Sequence, residues 1–116
     1  MDVTIGALQE MGAFAGPPVQ KVVEWEQNGE QMKITAYVRK LSYRSIASDI
    51  KLVNGSGDIV AGRIASCICD EKGQPVFTVA DITGEANPER GPLNYNLTMA
   101  LLSAISEVNS MGKSTA

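Results

Sequence analysis

The stretch from Val19 to Arg39, VQKVVEWEQNGEQMKITAYVR, decides the fold because it holds two strands and the turn between them. Asn28-Gly29 is the favoured two-residue loop of a β-hairpin, since both residue types tolerate a positive φ. Placing the loop there pairs Gln27 with Glu30. The sequence therefore predicts a hairpin whose turn fixes the register of every other pair.

The same register sorts the side chains of the hairpin into an apolar face and a polar face. Apolar pairs on one side and an opposite-charge pair on the other are typical of a half-buried hairpin. The predicted pairs are Val23 with Ile34 and Trp25 with Met32 on one face, and Val22 with Thr35 and Glu24 with Lys33 on the other.

A second compact signature is Asp70 to Ile82, DEKGQPVFTVADI, which predicts a turn, a short strand and the start of a helix. The first four residues suit a type I turn that ends at Gly73 in the left-handed region. Val76 and Phe77 then predict a brief apolar strand. The sequence thus indicates a second, smaller hairpin.

Helices are predicted before, inside and after this signature. A central helix would begin near Ser42 and carry Ile46, Ile50 and Val53 at helical spacing. Asp58 would cap a helix over about 58–66 that hands over to a strand near Cys67, although a strand over 64–69 is an alternative.

One further helix start and one long apolar stripe complete the pattern. Thr78 is placed as an N-cap that Asp81 answers in a capping box. A long C-terminal helix follows, ended by Asn109-Ser110 and Gly112. Its stripe consists of Leu93, Leu97, Leu101, Ala104, Ile105 and Val108.

These elements predict an α+β fold with an N-terminal β-hairpin, short central helices, a second small hairpin and a long C-terminal helix. Residues 1–18 are predicted to be a flexible N-terminal arm, because Gly16-Pro17-Pro18 separates them from the hairpin. Residues 19–110 are predicted to form a single domain, and residues 111–116 a polar C-terminal tail.

The composition argues against several classes of function. Ten basic and thirteen acidic residues give a net charge of −3, which is not the basic footprint of a nucleic-acid-binding protein. No apolar run approaches the length of a membrane span, and a cytosolic location is expected. The chain has no histidine, the commonest general base and metal ligand, so we expect no catalytic residues, cofactor or metal.

Cys67 and Cys69 are the only thiols of the chain. Two ligands do not complete a tetrahedral zinc site, so metal binding would need a dimer. Buried thiols that act as small hydrophobic side chains are the favoured interpretation. A dimeric enzyme or metal site around the two cysteines is the less favoured alternative.

Taken in order, these motifs resemble the tail assembly chaperones of long-tailed, lambda-like bacteriophages. The resemblance covers about residues 20–110 and leaves the N-terminal arm outside. It is carried by Val38-Arg39-Lys40-Leu41-Ser42, Ala65-Ser66-Cys67-Ile68-Cys69-Asp70-Glu71-Lys72-Gly73-Gln74-Pro75-Val76-Phe77-Thr78, Asp81-Ile82, Ile105 and Val108-Asn109.

The resemblance implies a non-enzymatic protein that binds the tape measure protein and helps to recruit tail tube subunits. It also implies action in the host cell cytoplasm and absence from the mature virion. A homo-oligomer is compatible with this role. The alternative is a minor structural tail or head-completion protein that stays in the virion.

The predicted contact surface for such a partner consists of exposed apolar side chains. Methionine suits contacts with varied helical partners. The competing interpretation for each residue is packing in the domain's own core. The candidates are Trp25 and Met32 on the hairpin, and Met99 and Leu102 beside the main stripe of the last helix.

Overall fold

The computed structural model describes residues 2–43 and 58–110 and has the predicted α+β architecture. It combines an N-terminal hairpin, short helices, one small strand and a long C-terminal helix. The predicted central helix with Ile46, Ile50 and Val53 lies outside the described residues. The elements are α1 Ile5–Glu10, β1 Val19–Gln27, β2 Glu30–Val38, α2 Ile59–Cys67, β3 Ile68–Cys69, α3 Val79–Thr83 and α4 Tyr95–Ser110.

The β1–β2 hairpin has the predicted register throughout. Gln27 pairs with Glu30, and the four predicted cross-strand pairs are all present. Asn28 and Gly29 have φ values of 54° and 81°. Both turn residues thus have the positive φ that a type I′ turn requires, and its twist matches that of the two strands.

A third strand extends the sheet to the order β1-β2-β3. β3 pairs antiparallel with the end of β2, with Val38 opposite Ile68. The predicted change from helix to strand near Cys67 is confirmed. The alternative strand over 64–69 is wrong for residues 64–67, because these remain helical and bury Ile64 and Cys67 on one face of α2.

The turn of the second hairpin forms as predicted, but the strand after it does not. Gly73 has a φ of 84°, and the Asp70 carboxylate accepts hydrogen bonds from two later backbone amides of the turn. Pairing stops at a single bridge between Cys69 and Pro75. Pro75 has no N–H to donate to a ladder, so the predicted Val76–Phe77 strand is wrong.

Two of the later helices begin at side-chain caps. Thr78 and Asp81 form the predicted capping box of α3. The Asn94 side chain accepts a hydrogen bond from the Leu97 N–H at 3.0 Å and so caps the start of α4. Leu93 of the predicted stripe precedes α4 and instead donates its N–H to the Ile82 carbonyl at 3.0 Å.

The core lies between one face of the sheet, here called the inner face, and the helices α2, α3 and α4. α4 packs along β1 and runs antiparallel to it, since Asn96 contacts Glu26 and Glu107 contacts Lys21. The buried residues of the core are Val23, Ala36, Val38, Ala61, Ile64, Cys67, Ile68, Ile82, Leu101, Ala104, Ile105 and Val108.

The N-terminal arm contains the short helix α1 and buries none of that helix's residues. Thr4 caps the helix by accepting a hydrogen bond from the Ala7 N–H at 3.0 Å. A helix of this length depends on packing for its stability. The flexibility of the arm, the single domain and the polar tail stay predictions.

Candidate partner-binding surface

The hairpin brings two of the four predicted contact residues together. Trp25 on β1 lies directly opposite Met32 on β2, on the inner face, and both are half-buried. The indole N–H of Trp25 donates to the Gln27 side-chain carbonyl at 3.0 Å. Trp25 also packs against the core, so much of its ring already has a partner within the chain.

The other two predicted residues lie about one turn apart on α4 and differ in exposure. Leu102 is half-buried and packs against the core. Met99 is 48% exposed. Core packing therefore accounts for much of the burial of the Leu102 side chain, whereas the thioether side chain of Met99 stays in contact with solvent.

Ile34 is a candidate contact residue that the sequence reasoning left out. It lies on the inner face opposite Val23 but remains 44% exposed. The reason is that α4 packs mainly on β1 and contacts β2 much less. The predicted register already put Ile34 on the apolar face, but the position of α4 was needed to show that it is uncovered.

An open cleft of about 690 Å³, here called the tip cleft, lies between the hairpin turn and the segment that leads into α4. Its walls combine apolar side chains with a polar rim, as is usual for binding sites. It is lined by Gln27, Asn28, Val76, Phe77, Asp81, Arg90, Gly91, Pro92, Leu93, Asn94 and Leu97.

The rim of the tip cleft carries an ion pair between Arg90 and Asp81, with N···O 2.9 Å. Hydrogen bonds from the Thr78 backbone and side chain, and then from Arg90, lower the pKa of Asp81. The same carboxylate thus caps α3 and holds Arg90 at the rim. This links the start of a helix to the shape of the cleft.

The two cysteines are buried in separate elements, because Cys67 ends α2 and Cys69 lies in β3. The Cys69 thiol donates to the Tyr37 carbonyl at 3.4 Å. Burial raises the pKa of Cys69, Arg39 acts in the opposite direction, and Asp70 adds to the rise. Both thiols therefore sit in the setting of small core side chains.

Among residues 2–43 and 58–110, no cluster of three or more cysteine, aspartate or glutamate side chains has the arrangement needed to hold a metal ion. None of the helices in this part of the chain has the length and apolarity that a membrane span requires.

Comparison with curated proteins and with solved structures gives no match. A family model described as phage tail assembly chaperone matches residues 6–109. The match begins within the N-terminal arm, so the prediction that the arm lies outside the resemblance is wrong. Because the match spans most of the protein, this chain belongs to the phage tail assembly chaperone family.

Proposed function

We propose that the protein is a non-enzymatic chaperone that binds the phage tape measure protein and helps to recruit tail tube subunits. It acts in the host cell cytoplasm, as a homo-oligomer, and leaves before the virion is complete. The observation that carries this proposal is the family match over residues 6–109. Family membership implies a non-catalytic role.

The exposed apolar side chains support a binding role for helical segments. Met32 and Ile34 on the inner face of the hairpin, and Met99 on α4, all keep surface in contact with solvent. An amphipathic helix docks by laying its apolar face against such a surface. A long helical partner with an apolar face aggregates unless that face is covered. The half-buried side chains of Trp25 and Leu102 complete the proposed contact surface with the parts that remain exposed.

Co-expression with the tape measure protein of the same phage tests the proposal. We expect the chaperone to raise the soluble fraction of the tape measure protein and to co-purify with it. An unchanged soluble fraction would contradict binding of that partner. Adding tail tube subunits to the purified complex then tests recruitment, with a ternary complex in size-exclusion chromatography as the expected result.

A pair of matched variants tests the proposed surface. Met99→Ser removes an apolar side chain that is 48% exposed, whereas Val60→Ser on α2 removes one that is 50% exposed. We expect the first variant to reduce the rescue of the tape measure protein and the second to retain it. Equal rescue by both variants would remove Met99 from the contact surface.

The alternative function is a minor structural tail or head-completion protein. Mass spectrometry of purified virions separates the two, because a chaperone is absent and a structural protein is present in fixed proportion to the tail tube. No described feature of this chain favours the structural role.

A further inference from the structure

The edge of β1 that faces away from β2 pairs with no other strand in residues 2–43 and 58–110, and alternate backbone groups of β1 are aimed toward it. The Asn96 side-chain amide on α4 donates to the Glu26 carbonyl at 2.8 Å, so this carbonyl points away from β2. In an antiparallel strand, alternate residues direct both backbone groups to the same side. Gln20, Val22 and Glu24 therefore direct their N–H and C=O groups to the outer edge of the sheet as well.

A groove runs along this edge where α4 leaves room. Its α4 wall carries small side chains, and Lys21 and Glu107 form an ion pair across it at 2.7 Å. Val22 on the opposite face of β1 is 53% exposed, next to polar neighbours. The groove is lined by Lys21, Val22, Val23, Glu24, Ala100, Ser103, Ala104 and Glu107.

In the described part of the chain, β1 is an edge strand of nine residues. Edges of this length pair readily with another strand unless they are protected. We propose that β1 pairs antiparallel with β1 of a second copy of this chain, about a two-fold axis at Val22. The two sheets then form one continuous sheet, with both α4 helices on the same side.

Side-chain complementarity selects this register. With the axis at Val22, the Val22 side chains of the two copies face each other, and Gln20 faces Glu24 of the second copy. Moving the axis to Lys21 would place two lysines opposite each other. Moving it to Glu24 would do the same with two glutamates, and like charges directly opposite destabilise a sheet.

The ends of the proposed pairing also agree with the observed hydrogen bonds. In this register Glu26 lies opposite Pro18 of the second copy. Pro18 has no N–H to donate, and the Glu26 carbonyl is already bonded to Asn96. An axis at Val23 would instead aim the Gln20 N–H at the occupied Glu26 carbonyl. Among axes at Lys21, Val22, Val23 and Glu24, the one at Val22 avoids facing like charges without competing for that carbonyl.

This inference deepens the homo-oligomer of the proposed function and, to that extent, rests on it. It concerns the isolated chain, so its test needs no tape measure protein. A monomeric chain that still rescues the tape measure protein would overturn the inference alone. A dimer without rescue would overturn the proposed partner alone.

Cysteine cross-linking of the purified full chain tests the axis. In the proposed register the Val22 Cα atoms are about 5.5 Å apart, within the range of a disulfide. Thr35→Cys is the matched control. Thr35 lies opposite Val22 and on the same face of the sheet, but on the central strand β2, away from the proposed interface. We expect Val22→Cys to give about tenfold more disulfide-linked dimer than Thr35→Cys, as prealigned thiols have a high effective concentration.

A second variant breaks the pairing without touching the hairpin ladder. The Val22 N–H points outward, so Val22→Pro removes only a donor of the free edge. We expect light scattering to show that the wild type is a dimer. The Val22→Pro dimer should be weaker, with a dissociation constant about tenfold higher. A monomeric wild type, or equal cross-linking of Val22→Cys and Thr35→Cys, would overturn the proposal.

Discussion

Gly84 and Pro92 approach each other so closely that a Cβ on Gly84 would lie 2.7 Å from the Pro92 backbone nitrogen. Gly84 also has a φ of 95°, which ends α3 in the left-handed conformation. We expect Gly84→Ala to lower the free energy of unfolding by about 3 kcal/mol, because it adds backbone strain to a steric clash. Urea unfolding measures the change.

Gly91→Ala is the control for this prediction. Gly91 has a φ of 77°, but a Cβ there would meet no atom within 4 Å. Backbone strain alone should cost about 1 kcal/mol. If the two variants unfold at the same urea concentration, the close approach of Pro92 does not add to the cost of a side chain at position 84.

The capping role of Asp81 predicts a pH dependence of stability. Hydrogen bonds from Thr78 and Arg90 favour the ionised carboxylate and lower its pKa in the folded chain. The contribution of the Asp81 charge to the free energy of unfolding is therefore complete above the ordinary aspartate pKa of about 3.9. It is lost as the pH falls through the lowered pKa of Asp81 in the folded chain. The loss is measured as a fall in the urea concentration at half-unfolding when the pH is lowered from neutral.

Asp81→Asn supplies the reference for that measurement, since the amide does not titrate. We expect the wild type to be more stable than this variant at neutral pH. The difference should shrink as the pH falls below about 4. A difference that stays constant over this range would show that the charge of Asp81 does not stabilise α3.

The burial of the two thiols predicts slow alkylation of the folded protein. Cys67 and Cys69 are both buried, and burial raises the pKa of Cys69. Because the thiolate is the reactive form, we expect denaturant to speed labelling by iodoacetamide about a hundredfold. Mass spectrometry of the peptides assigns each site. Rapid labelling of the native chain would contradict the buried placement.

Asn109 joins the end of α4 to the segment after β2. Its side-chain oxygen accepts from the Leu41 N–H, and its amide donates to the Ile105 carbonyl at 2.8 Å. We expect Asn109→Ala to reduce the free energy of unfolding by about 1 kcal/mol. Ser103→Ala, on the exposed side of the same helix, should be neutral or slightly stabilising. Thermal unfolding of both variants checks the difference.

Local chemistry explains which elements the sequence predicts well. The Asn28-Gly29 turn needs only its own residues and fixes the hairpin register. The capping box of Thr78 and Asp81 is likewise a pattern of four neighbouring residues. Each is set by backbone geometry within a few positions, so no knowledge of the remaining fold is required.

Tertiary packing explains what the sequence does not predict. Val76 and Phe77 read as a strand by composition, yet Pro75 ends the ladder and Phe77 packs against the core. The tip cleft forms where the hairpin turn meets residues far along the chain. The exposure of Ile34 depends on where α4 lies. These features require the positions of elements relative to one another.

The packing of α4 on β1 has a consequence for synthesis on the ribosome. The hairpin emerges early, but the helix that covers its inner face is made last among the described elements. Until α4 has left the exit tunnel, four of the twelve buried core residues described above are missing, Leu101 and Ile105 among them. A polypeptide truncated ahead of these residues cannot close its core, so we expect host proteases to degrade it while sparing the finished product.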